Sequence, residues 1–175
     1  MHRIAVGLLS EDREHLSTLQ DRLRPAGLGR EVFSHIGFPV SATDTIIRQL
    51  QESRVEVVIV DVPFQSAQRA IAAIELIHAT TQIAILANGD LTQTANIVAS
   101  MRNGASEYVD RSAGQEVLLE ALARFSSLRT RALGAKVDVD LLLKASALAR
   151  LGGKFYAHGF TFLKAGEGYV VVKGP

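Results

Sequence analysis

Asp61 follows directly on the apolar run Val55 to Val60, and later the chain reads Gly104-Ala105-Ser106-Glu107-Tyr108-Val109-Asp110-Arg111. A carboxylate closing one buried strand, with an aromatic and a cation closing a later one, brings acid, ring and guanidinium to one rim of a parallel sheet, where such sheets collect their working groups. Ser10, Glu11 and Asp12 follow the first apolar run, and Asn88, Gly89 and Asp90 the fourth. Arg111 is flanked by Asp110 and Ser112. Glu11, Asp12 and Asp61 make an oxygen-only set of the kind Mg²⁺ prefers. An ion held there would screen the charge that builds up when a carboxylate oxygen attacks a phosphoryl donor. The competing structural reading has Asp12 or Ser10 capping the first helix and Asp61 simply ending a strand; spacing alone leaves both open.

These groups must be positioned by alternating elements. Strand-like segments at Ile4 to Leu9, Glu31 to Ile36, Val55 to Val60, Ile83 to Ala87 and Ser106 to Val109 alternate with helix-period segments, which predicts repeated βα units and a parallel sheet. The predicted buried stripes are Leu16, Leu19 and Leu23 in the first helix, Ile46, Ile47 and Leu50 in the second, and Ile71, Ile74 and Ile77 in the third. Leu91, Ala95, Val98 and Met101 mark the fourth, and Leu118, Leu122 and Phe125 the fifth. Ser41-Ala42-Thr43-Asp44 has capping-box spacing before the second helix, and Asn103-Gly104 reads as a left-handed stop to the fourth.

Composition narrows the function classes. Hydrophobic residues make up 47% and charged residues 21% of 175, as in an ordinary folded protein. Nineteen basic against eighteen acidic residues leave a net charge of +1, which offers no field for nucleic acid or an acidic membrane. The absence of cysteine removes disulfides, thiolate metal sites and thiol nucleophiles. His2, His15, His35, His78 and His158 show no paired spacing suited to zinc. No apolar run reaches membrane-spanning length and Ile4 to Leu9 is short for a secretory segment, so the cytoplasm is the expected compartment. A domain over 1–131 is expected, then a tail over 132–175 with a helix near Asp138 to Leu151 and two strands, Lys154 to Leu163 and Tyr169 to Lys173.

Residues from about 3 to 128 resemble a response-regulator receiver domain of the CheY-like kind, most strongly from Asn103 to Arg111. The resemblance implies a flavodoxin-like three-layer αβα fold with five parallel strands in the order 2-1-3-4-5 and a short C-terminal appendage. It also implies that Asp61 is the phosphoacceptor, that an acidic pair after strand one joins it in holding Mg²⁺, and that Tyr108 is the switch aromatic. That pair is Ser10-Glu11 or Glu11-Asp12, depending on where the strand ends. Arg111 stands where the family has the phosphate-binding Lys, and Ser112 where a Pro is usual. No Ser or Thr lies between Leu86 and Asp90 to grip a phosphoryl oxygen, and Val62-Pro63-Phe64 replaces the usual Met, Pro and Gly-rich segment. These departures describe an atypical receiver, a non-enzymatic module acting through protein partners such as a histidine kinase. Receiver-like domains often pair through helix four, strand five and helix five, so the resemblance also implies a homodimer of that kind. Phe38-Pro39 and Met101-Arg102-Asn103-Gly104-Ala105 are similar to the N-terminal receiver-like domain of CpaE/TadZ-type Tad-pilus localisation ATPases, which implies pilus-assembly partners. In that group a MinD-like ATPase follows, and Thr161 to Gly168 faintly resembles the strand and glycine loop that open it. No Gly-x-x-x-x-Gly-Lys-Ser/Thr run is present.

Overall fold

The computed structural model describes residues 3–24, 27 and 29–125, together with the backbone of 154–157, 160–165 and 168–173. The chain divides into two compact units, Met1–Ser127 and Leu128–Pro175.

In the first unit five strands, β1 (Ile4–Ser10), β2 (Gly29–Ile36), β3 (Val57–Val62), β4 (Ala84–Gly89) and β5 (Glu107–Asp110), form one sheet in the order β2-β1-β3-β4-β5. Every neighbouring pair is parallel, as the βα alternation requires. The connecting helices are α1 (Arg13–Leu23), α2 (Thr45–Glu52), α3 (Ala67–Thr80) and α4 (Thr94–Arg102), followed by α5 over 115–125. Because side chains alternate across a strand, the sheet sorts its residues by parity. Ile4, Val6, Leu8, Val57, Ile59, Leu86 and Val109 pack with Leu16, Leu19 and Leu23 of α1 and Leu118 and Leu122 of α5. Val58, Val60, Val62, Ile85 and Ala87 pack on the opposite face with Ile46, Ile47 and Leu50 of α2 and Ile74 and Ile77 of α3. Ile59 and Leu86 are fully buried, each worth about 1.5–3 kcal/mol relative to an exposed side chain.

The strands run further toward their carboxyl ends than the apolar runs predict. Ser10, Asp61 and Asn88 lie within β1, β3 and β4, and Asp61 is not the residue after a strand but its fifth member. All three are buried. Polar residues can continue a buried strand here because they hydrogen-bond one another and their neighbours, which offsets the cost of leaving water.

Two other expectations are corrected and a third holds. Asp44, not Ser41, is the N-cap of α2: its carboxylate accepts the N–H of Ile46 at 3.0 Å and that of Val40 at 3.1 Å, fixing the turn from both sides. The stripe on α4 faces outward, with Val98 41% and Met101 42% exposed and Leu91 and Ala95 also exposed. Ser100 is the residue this helix buries, so the stripe is not part of the core. Gly104 does carry the left-handed conformation that ends α4, at φ +110°, and a β-carbon there would meet the ring of His78.

In the second unit β6 (Lys154–Ala157), β7 (Phe160–Ala165) and β8 (Gly168–Lys173) form an antiparallel sheet in that order. The expected single strand Lys154 to Leu163 is therefore two, folded back so that Ala157 pairs with Phe160. Ala165 pairs with Gly168, so β7 leads into an antiparallel strand and not into the helix a phosphate-binding loop needs. The expected helix over Asp138 to Leu151 lies outside the described residues.

Candidate functional site at the rim of the sheet

On the α1 and α5 face, the series Val57, Ile59, Asp61 of β3 places the Asp61 carboxylate one pleat beyond a fully aliphatic row. In register, Asp61 pairs with Asn88 and Asn88 with Val109; Leu9 pairs with Val60, which carries Ser10 alongside Asp61. The polar row is thus set by sheet register alone.

Asp61 is 0% exposed, and its oxygens have built-in partners. Ser10 Oγ donates to Oδ2 at 2.6 Å. Arg111 donates from Nε to Oδ1 at 2.9 Å and from Nη2 to Oδ2 at 3.3 Å. Arg111 Nη2 also donates to Asp12 Oδ2 at 2.7 Å, so one guanidinium bridges two carboxylates. From α1, His15 is buried with Nε2 2.7 Å from Asn88 Oδ1 and 3.6 Å from Asp61 Oδ1. The Asn88 amide nitrogen donates to the carbonyls of Val109 and Asp110, both at 3.2 Å, which turns its oxygen toward His15. His15 Nε2 is then the donor to that oxygen.

The backbone around Arg111 is pinned. Its N–H donates to the Gly89 carbonyl at 2.9 Å, and its own carbonyl accepts from Arg22 Nη1 at 3.2 Å. Asp110 Oδ1 accepts from both the N–H and the hydroxyl of Ser112 at 2.7 Å, closing the turn. Burial by itself would lower the Arg111 pKa, but the hydrogen bonds and charges of Asp61 and Asp12 outweigh it and hold the pKa above its ordinary value. Asp12 serves two partners: Oδ1 caps α1 by accepting the N–H of Glu14 at 3.0 Å and of His15 at 3.1 Å, while Oδ2 meets Arg111. The His15 N–H first, and Arg111 next, hold its carboxyl below the usual carboxylate range.

Of the residues singled out from sequence, Asp12, Asp61 and Arg111 come together, and Glu11 and Tyr108 do not join them. Glu11 Oε2 pairs instead with Arg69 Nη2 of α3 at 2.9 Å. Among the described residues no group of three or more His, Asp or Glu is placed to hold a metal ion. The arrangement does not fit Mg²⁺: the ion needs oxygens near 2.1 Å in an octahedron, and the guanidinium fills the gap between Asp12 and Asp61.

Tyr108 has the opposite parity to Asp61 and packs against the α2 and α3 core, over Gly89. A β-carbon on Gly89 would overlap the Tyr108 hydroxyl and approach its Cζ to 2.8 Å and the Val62 carbonyl oxygen to 2.9 Å. The buried Tyr108 hydroxyl has no hydrogen-bond partner among the described residues. Burial, then the charges of Asp90, Asp110 and Asp61, push its pKa up to about 12.

Sequence reasoning missed the roles of Ser10, His15 and Asn88 as partners in this network. For His15 a signal exists, since it lies four and eight residues before Leu19 and Leu23, on the buried face of α1.

No protein-family model and no curated protein matches the sequence. Solved structures do match. The BeF₃-activated receiver domain of DrrB is 19% identical with a TM-score of 0.55, the match covering 72% of this chain and 99% of that one. A CheY-like protein, TadZ, from Pseudomonas aeruginosa is 18% identical with a TM-score of 0.57, over 70% of this chain and 99% of that one. A Burkholderia thailandensis protein assigned to pilus assembly, CpaE, is 20% identical with a TM-score of 0.57, over 71% and 98%. No helix among the described residues is long and apolar enough to cross a membrane. With five parallel strands in the order 2-1-3-4-5 and Asp61 at the carboxyl rim of the central one, the first unit has the fold of a CheY-like receiver domain.

Proposed function

We propose that this protein is an atypical receiver-type regulatory module that acts by binding other proteins and turns over no substrate. The observation that carries the reading is the outward apolar stripe of α4, Ala95, Val98 and Met101, which lies on a receiver fold whose one buried carboxylate among the described residues is already fully engaged. An exposed stripe with helical period is what a docking surface presents. The likeness to CpaE and TadZ favours a cytoplasmic partner in pilus assembly or localisation over a histidine kinase, and a second copy docking through α4, β5 and α5 is the simplest occupant.

Ser10 and Arg111 occupy the Asp61 oxygens that would attack a phosphoryl donor, which supports partner binding without phosphorylation. Two measurements test this. Sedimentation of the full chain should show self-association that Val98→Asp weakens at least tenfold; a monomer at all concentrations removes the homodimer. Incubation with Mg²⁺ and acetyl phosphate should leave the mass unchanged. A one-phosphate increase lost in Asp61→Asn would favour the competing reading, a Mg²⁺-dependent switch with Arg111 gripping the phosphate.

A further inference from the structure

We propose that the Arg111 guanidinium is a tethered counter-cation standing in for a divalent ion: it keeps Mg²⁺ out of the notch, and removing it alone turns Asp12 and Asp61 into a divalent-cation site. The inference rests on the reading above that the closed notch is not a metal-dependent switch.

Two carboxylates aimed at one point need a positive charge between them, and here a single nitrogen, Arg111 Nη2, contacts both. Among the described residues no other arginine pairs with either carboxylate, and His15, 3.6 Å from Asp61 Oδ1, directs its Nε2 to Asn88 Oδ1 at 2.7 Å. Arg22 spends its Nη1 on the Arg111 carbonyl, and Arg69 lies with Glu11. The Arg111 side chain is attached to a backbone pinned at both its N–H and its carbonyl, so its effective concentration at the notch is that of an intramolecular ligand, far above a free ion in solution.

Without the guanidinium the remaining groups are hard oxygen donors. Asp61 is buried on a rigid strand, Asp12 is held by the α1 N-terminus, and Ser10 Oγ lies 2.6 Å from Asp61 Oδ2. That set suits Mg²⁺ or Mn²⁺ with water completing the shell.

The test uses the full chain, with Mg²⁺ and Mn²⁺ themselves as probes. Wild type should show no millimolar-range rise in Tm with either ion and no Mn²⁺ binding by electron paramagnetic resonance. Arg111→Met should gain both, with Tm rising as the logarithm of ion concentration. Arg111→Lys, which keeps a cation, should not, and Asp61→Asn should abolish the gain in the Met background. If Arg111→Met does not fold in ion-free buffer, Mn²⁺ should restore its circular dichroism. Mn²⁺ binding by wild type that Asp61→Asn removes overturns the proposal, as does an Arg111→Met protein with neither binding nor rescue. Either failure leaves the α4 docking reading standing, because Val98→Asp tests it with Arg111 unaltered.

Discussion

Replacing Arg111 by Met keeps most of the side chain's bulk and deletes the donors that join β5 to Asp61 and Asp12. Asp61 is 0% exposed and cannot turn to water, so it retains only the Ser10 hydroxyl at 2.6 Å and the more distant His15. Removing one partner of a fully buried ion pair costs roughly 3–5 kcal/mol. Arg111 is 32% exposed and one of its contacts to Asp61 is 3.3 Å long, which places the expected loss at the lower end, about 3 kcal/mol. Asp61→Asn removes the charge from the other side and leaves the guanidinium to Asp12 and water, so it should cost less, about 2 kcal/mol. If the two groups stabilise each other as the geometry says, Asp61→Asn/Arg111→Met will be less destabilised than the two single changes together, with a coupling of about 2 kcal/mol. Urea melts of the full chain at neutral pH, in chelator so that no ion refills the notch, read all four corners of the cycle. Additivity within about 0.5 kcal/mol would refute the claim that the pair acts as a unit.

Gly89→Ala should displace Tyr108 from its seat, lowering stability by about 1–3 kcal/mol and raising quenching of tyrosine fluorescence by acrylamide. Tyr108→Phe should cost little or stabilise, because it deletes a buried hydroxyl without a partner among the described residues; a urea midpoint well below wild type contradicts that environment. Since the Tyr108 pKa is raised in the folded state, to about 12, its contribution is intact below the unfolded value near 10 and is lost as pH rises toward 12; Tyr108→Phe should flatten that alkaline limb. Asp12 shifts the other way. Its lowered carboxyl contributes stability above the unfolded value of about 3.9 that disappears as pH falls through the folded one, so Asp12→Asn should flatten the acid limb. Asp12→Ala should cost about 1–2 kcal/mol at neutral pH through the lost cap of α1, read as a lower urea midpoint.

The strand and helix alternation was legible because each element has a clean period, and Leu16, Leu19, Leu23, Leu118 and Leu122 lie where the stripes place them. Strand ends were not, because apolar runs stop at the first polar residue whereas hydrogen bonding lets Ser10, Asp61 and Asn88 remain inside. The stripe on α4 misled for another reason: helical period says that residues share a face, not whether that face meets the core or a partner. Asp61 and Arg111 were found at the rim from their places after apolar runs. The use of Arg111 as the shared partner of Asp12 and Asp61 depends on distances across three strands' worth of register, which no local spacing encodes.

The acidic notch and the Tyr108 ring lie on opposite faces of one sheet, separated by the thickness of a single backbone. Asn88 faces the first and its neighbour Gly89 lies beneath the second, so two consecutive residues of β4 serve the two sites. The Gly89 carbonyl accepts the Arg111 N–H, so the residue that holds Asp61 and the floor on which Tyr108 rests are joined by one backbone hydrogen bond.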